Sequence, residues 1–181
     1  MFRQALEEIV RRLEQAKTYG LLRAYALIGG LATGAWGSPR ATHDIDFAVA
    51  ATGDNTKLAQ ALGARFRSGG PDDPLPGVFS LSIKSGGDSV PVQLVVLPPR
   101  WTDLVLNHVQ PATVFDSPVP VVSWQALVLL KLYAGGPQDM TDARAILTVR
   151  QPKPHQIEDL ARLAATVGLA QDLRNLFTQG A

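Results

Sequence analysis

The chain has 181 residues, 46% hydrophobic and 18% charged, which suits one folded domain or a compact domain with a helical extension and excludes a disordered chain. A net charge of +1, from 17 basic and 16 acidic side chains, leaves no bulk electrostatic case for nucleic acid or membrane binding, so a polyanionic partner must be held by a local patch. With no cysteine, disulfides, thiolate zinc sites and cysteine nucleophiles are excluded by counting, and a metal must take oxygen or histidine ligands.

The N-terminal segment carries Glu7, Glu8, Arg11 and Arg12, unlike a secretory signal, and no apolar run approaches the roughly 18 residues of a membrane span. The expectation is therefore a cytoplasmic protein without membrane association. Phe2, Leu6, Ile9, Val10 and Leu13 recur at helical spacing, predicting a helix over 2–18 that ends at Gly20. Tyr25 to Ile28 is a short apolar run closed by Gly29-Gly30, which turn into a short helix through Trp36; Ser38-Pro39 breaks it. Ile45, Phe47 and Val49 then alternate with Asp44, Asp46 and Ala48, the period-two signature of a strand with one buried face.

A helix over 55–62 follows, then a Gly/Pro-rich loop from Ser68 to Gly77, expected to be mobile and surface-exposed. Phe79, Leu81 and Ile83 alternate with polar residues, and after Gly86-Gly87 the chain resumes as Val90 to Leu97, a hairpin pattern. Counting from that turn pairs Ile83 with Val90, Leu81 with Val92 and Phe79 with Leu94, and sets Gln93 opposite Ser80. Residues 98–122 offer only short strand-like pieces around Val114 and Val119 to Val122. Ser123 reads as the N-cap of a helix through Tyr133, Gly135-Gly136-Pro137 restarts a helix through Val149, and a last helical pair follows Pro152 and Pro154. The class expected is α+β: a mixed sheet flanked by helices over 1–122, with a helical portion over 123–181 packed on it as one compact unit.

The alternation points Asp44 and Asp46 the same way, and two carboxylates so close repel unless a cation lies between them. Oxygen-only ligation favours Mg²⁺ or Mn²⁺. Gly29-Gly30 at the start of a helix lets a phosphate approach backbone N–H groups. Together they suggest a nucleoside triphosphate. Against this stand plainer readings: two solvated acids on an edge strand, a tight glycine turn, Asp139 and Asp142 as N-terminal helix acids, and Lys131 as a surface lysine. His43 is expected to face away from both aspartates, His108 and His155 have no evident partners, and Trp36, Trp101 and Trp124 read as core or interface anchors.

The run Gly29-Gly30-Leu31-Ala32 followed by Pro39-Arg40-Ala41-Thr42, Asp44-Ile45-Asp46 resembles the minimal nucleotidyltransferases of the DNA polymerase beta superfamily, especially the AbiEii-type branch. Ser123, Lys131, Asp139 and Asp142 are similar to that branch's closing motif. The resemblance spans residues 24–149 and implies a nucleotidyltransferase fold. It implies that Asp44 and Asp46 hold Mg²⁺ against an NTP while a hydroxyl of RNA, tRNA, protein or a small molecule attacks the α-phosphate. Gly29, Gly30, Arg40, Thr42, Lys131, Asp139 and Asp142 would serve the nucleotide, and a toxin-like role with a cognate antitoxin follows by analogy. One departure stands out. The third catalytic position, a carboxylate in most members, reads here as Gln93, which weakens the site's negative charge and sets an inactive nucleotide-binding or protein-interaction module beside the enzyme reading.

Overall fold

The computed structural model describes residues 2–71 and 73–178. The chain runs α1 (Phe2–Thr18), β1 (Leu22–Ile28), α2 (Gly29–Ala35), β2 (Ile45–Ala51), α3 (Asn55–Leu62), β3 (Arg65–Ser68), β4 (Gly77–Ser85) and β5 (Asp88–Val96). It continues with α4 (Pro99–Leu106), β6 (Gln110–Val114), β7 (Ser117–Val121), α5 (Trp124–Ala134), α6 (Pro137–Arg150), α7 (Pro154–Thr166) and α8 (Ala170–Thr178). The strands form one mixed sheet in the order β3-β4-β5-β2-β1-β7-β6, so β2 and β5, distant in sequence, lie side by side near its centre.

The hairpin register follows the count from its glycine turn. Ile83 pairs with Val90, Leu81 with Val92, Phe79 with Leu94, and Ser80 with Gln93. The parallel pairing of β2 with β5 then puts Asp46 beside Gln93, while the antiparallel pairing of β1 with β2 sets Ile28 opposite Asp46. One sheet face is dry. Phe79, Ile83, Val90, Val92 and Leu94 are buried, and α1 and α3 pack against β4 and β3. Burying side chains of this size removes them from water for about 1.5–3 kcal/mol each, which holds the sheet edge to the helices.

Several expectations change in detail. Strand β1 begins at Leu22 rather than Tyr25, and β3 precedes the Gly/Pro-rich loop, neither being evident from alternation alone. Residues 98–122, hard to read as sequence, hold α4 as well as β6 and β7. Pro99 occupies the first turn of α4, where a missing N–H is tolerated, and Trp101, fully buried, anchors it. Asp44 lies just ahead of β2 rather than within it. The Ser123 side chain does cap α5, accepting from the backbone N–H of Ala126 at 3.3 Å.

Candidate active site

The β1–α2 junction turns on Gly29, whose φ is +67°, a conformation that costs an L-residue about 1–2 kcal/mol. A Cβ there would lie 2.2 Å from Asp46 Oδ2. The Asp46 carboxylate therefore rests directly against the Gly29 backbone. Gly30 plays the same part for the next segment: a Cβ on it would meet Thr42 Oγ1 at 2.8 Å and an Arg40 guanidinium nitrogen at 3.2 Å. Glycine was expected here to admit a phosphate; the space is used first by Asp46, Thr42 and Arg40. Thr42 Oγ1 donates to Asp44 Oδ1 at 2.8 Å, which holds the second acid beside the first. Burial, then the neighbouring charge of Asp44, pushes the Asp46 carboxyl up to about 6, and the positive charges of Lys131 and Arg40 only partly offset this. Such a carboxyl gains from a cation.

Lys131, near the end of α5, is 6% exposed and Asp142, in α6, is 3% exposed. Lys131 Nζ meets Asp139 Oδ1 at 2.9 Å and Asp142 Oδ2 at 2.8 Å. Arg40 Nε reaches both Asp142 oxygens, at 2.9 and 3.1 Å, and Gln138 Nε2 donates to the same carboxylate at 2.9 Å. Burial alone would raise Asp142, but the hydrogen bonds from Lys131, Arg40 and Gln138 outweigh it and hold the carboxyl below its usual range. One buried acid thus ties the loop that carries Thr42 and Asp44 to the helix that carries Lys131.

A cleft of about 290 Å³ opens at this junction. Gly29, Asp46, Lys131 and Asp139 form its polar end, and Leu75, Val95, Leu97, Leu127, Leu130 and Tyr133 form an apolar wall. The Tyr133 hydroxyl donates to the Pro74 carbonyl at 2.8 Å, which brings the Gly/Pro-rich loop to the cleft. Its ring centroid lies 5.0 Å from that of Trp101. The apolar wall escaped the sequence reading. The available signal was the recurrence of Leu127, Leu130, Lys131 and Ala134 at helical spacing on α5, which puts the lysine and the leucines on one face.

The structure therefore gathers Gly29, Gly30, Arg40, Thr42, Asp44, Asp46, Lys131, Asp139 and Asp142 into one neighbourhood, with Gln93 beside Asp46 on the adjacent strand. Asp142 stands behind the cleft as an ion-pair partner rather than on its surface. Asp139, in the first turn of α6, is the helix acid expected there and also pairs with Lys131. His43 is exposed just ahead of β2, and His108 lines a separate groove with Ser123, Gln125 and Arg162. Among the described residues no cluster of three or more histidine or acidic side chains is arranged to hold a metal. Asp44 and Asp46 still suit Mg²⁺, which is commonly held by one or two carboxylates with water and substrate phosphates completing its shell.

The chain is similar in structure to the antibiotic-resistance factor ANT(2'')-Ia in solution, at 16% identity and a TM-score of 0.55, covering 97% of this chain and 98% of that one. It is also similar to an antigenic nucleotidyltransferase-like protein from Paracoccidioides brasiliensis, at 18% identity and a TM-score of 0.52, covering 94% of this chain and 89% of that one. This chain has the nucleotidyltransferase fold. A crystal structure of ANT(2'')-Ia with adenylyl-2''-tobramycin matches this nucleotidyltransferase-fold chain at 15% identity and a TM-score of 0.53, over 91% of this chain and 96% of that one. No family model and no curated protein sequence matches it. No helix among its described residues is long and apolar enough to cross a membrane.

Proposed function

We propose that this chain transfers a nucleoside monophosphate from an NTP to a hydroxyl group in a Mg²⁺- or Mn²⁺-dependent reaction, the hydroxyl oxygen bonding to the α-phosphorus as the α–β phosphoanhydride bond breaks, with pyrophosphate leaving and the hydroxyl proton released to water. The observation that carries the reading is the Asp46 carboxylate seated on Gly29, with Asp44 beside it and Lys131 in the same cleft. Asp44 and Asp46 would hold the cation, which when bound supplies positive charge against the triphosphate. Lys131 meets phosphate oxygens as a point charge. Asp139 and Asp142 fix its ammonium in place, and Asp142 also fixes Arg40. The apolar wall with Tyr133 excludes water and receives the nucleobase. Gln93, next to Asp46, accepts a hydrogen bond from the attacking hydroxyl through its amide oxygen. Catalysis on this reading is alignment and charge neutralisation.

The test is incubation with α-labelled NTPs, Mg²⁺ or Mn²⁺, and total RNA or other hydroxyl acceptors, beside a folded Asp46→Asn control. Label incorporated only by the wild type supports transfer; incorporation no greater than in the control sinks it. A second reading, nucleotide binding without turnover, is favoured by Gln93, an amide beside Asp46 in the strand register, at the position where the resemblance implies a third acid. Tight binding of Mg-NTP with no transfer to any acceptor separates it from the first. The AbiEii-type resemblance extends the proposal to a toxin-like action on tRNA with a cognate antitoxin; growth arrest on expression of the wild type, absent for Asp46→Asn, tests that extension.

A further inference from the structure

The two ends of the cleft differ in what they can offer a ligand. Asp46, Lys131 and Asp139 make one end; along the rest of the lining, Tyr133 carries the only polar side-chain atom among the described residues. Its hydroxyl donates to the Pro74 carbonyl at 2.8 Å. A phenol has one proton, so with that proton committed the Tyr133 oxygen can only accept. The Pro74 oxygen, which keeps a second lone pair, can only accept as well. Tyr133 and Ala134 are the last residues of α5 and both line the cleft, so the negative end of that helix dipole lies at the same corner. The corner is built of acceptors and matches a donor.

Both acceptors are held in place. The Gly69 N–H donates to the Pro76 carbonyl at 2.9 Å and the Asp73 N–H to the Gly70 carbonyl at 3.1 Å, which closes the loop on itself around Pro74. The Tyr133 ring rests 5.0 Å from the buried Trp101 ring, centroid to centroid, and the Arg100 guanidinium lies over it at 6.0 Å. Arg100 meets the ring and does not line the cleft. For Tyr133 to donate to a ligand, its proton must leave Pro74, and that carbonyl loses a partner. With phosphates at the Lys131 end, the part of a nucleobase farthest from its glycosidic nitrogen reaches the Tyr133 end. A purine carries its 6-substituent there and a pyrimidine its 4-substituent: an amino group in adenine and cytosine, an oxygen in guanine and uracil.

We infer that Tyr133, oriented by the Pro74 carbonyl, selects NTPs whose base carries an amino group at this position, ATP and CTP, over GTP and UTP. The two N–H bonds of the amino group match the two acceptor oxygens. An oxo base offers only its neighbouring ring N–H and sets its own oxygen against the other acceptor. This rests on the reading of the cleft as the NTP site of a nucleotidyl transfer.

The experiment is isothermal titration calorimetry of the full chain with the Mg²⁺ complexes of ATP, inosine triphosphate and purine riboside triphosphate, which carry an amino group, an oxygen and a hydrogen at the purine 6-position. ATP should bind roughly 10-fold tighter than inosine triphosphate, with purine riboside triphosphate between them, and CTP should exceed UTP by a similar factor. In Tyr133→Phe the ratio of ATP to inosine triphosphate affinity should fall to about 3-fold or less, through weaker ATP binding, with circular dichroism showing that the variant is folded. Equal wild-type affinities for ATP and inosine triphosphate overturn the inference, and so does purine riboside triphosphate binding as tightly as ATP. An unchanged ratio in the folded variant overturns it too. Transfer from all four NTPs with equal kcat/KM supports nucleotidyl transfer and sinks the selection. The expected order of affinities with no transfer to any acceptor supports the selection and sinks the transfer reading, so the two fail separately.

Discussion

Asp142→Asn is the perturbation that tests how the site is held together. The Asp142 carboxylate is 3% exposed and takes Lys131 at 2.8 Å, Arg40 through both oxygens at 2.9 and 3.1 Å, and Gln138 at 2.9 Å. Breaking a buried ion pair by removing one partner costs about 3–5 kcal/mol, because the other charge stays buried. Here the lower end applies. Lys131 keeps Asp139 at 2.9 Å, and the Arg40 side chain, 31% exposed, can turn toward water. About 3 kcal/mol corresponds to a Tm lower by roughly 6–12 °C for a domain of this size. Circular dichroism melts and urea titrations at pH 7 read it. The pH dependence gives an independent check. Asp142 is held below its usual range, so its contribution is full above the ordinary carboxylate range and disappears as pH falls through the folded-state value. The gap between wild type and variant should narrow below about pH 4. A Tm change within about 2 °C at pH 7, or a gap that stays constant in acid, refutes the reasoning. Lys131→Met/Asp142→Leu should recover most of the lost stability, since well-packed apolar pairs commonly match buried ion pairs, yet should still bind Mg-NTP poorly.

Three further outcomes are expected. Gly29→Ala places a Cβ 2.2 Å from Asp46 Oδ2 at a φ of +67°, so it should cost about 1–2 kcal/mol in backbone conformation alone, lower Tm, and weaken Mn²⁺ binding measured by calorimetry. Gln93→Asp adds an acid beside Asp46 and should tighten Mn²⁺ binding several-fold or more; unchanged affinity would show that residue 93 does not reach the cation. Because the Asp46 carboxyl is raised to about 6, the metal-free fold should lose stability as pH rises from about 4 through 6, where the unfolded chain ionises first. Protons then compete for the same group, so the Tm increase on adding Mn²⁺ should be large at pH 7 and shrink below pH 6.

The local pattern was legible because it is short-range. Alternation around Ile45, Phe47 and Val49 follows from a pleated strand with one dry face, and the hairpin register follows from counting away from Gly86-Gly87. The Gly29-Gly30 pair and the two aspartates are close enough in sequence to be read together. What alternation could not show was α4, where Pro99 and Trp101 act through a position in the helix and a partner in the core rather than through periodicity. It also missed β3, only four residues long, whose two exposed arginines alternate with a half-buried phenylalanine.

The glycine pair, the oxygen-only ligand chemistry, the absence of cysteine and the amide at position 93 belong to the sequence itself, since residue identity decides which atoms can bind a cation and which backbone shapes are open. Only the tertiary structure decided that Gly29 makes room for Asp46, and that Asp142 is an internal clamp between Arg40 and Lys131. It alone brought the Pro74 carbonyl to the Tyr133 hydroxyl. Each of these depends on contacts across long stretches of chain, 102 residues for Arg40 and Asp142, and such contacts are selected by the burial of the whole sheet and its helices rather than by any neighbouring residues.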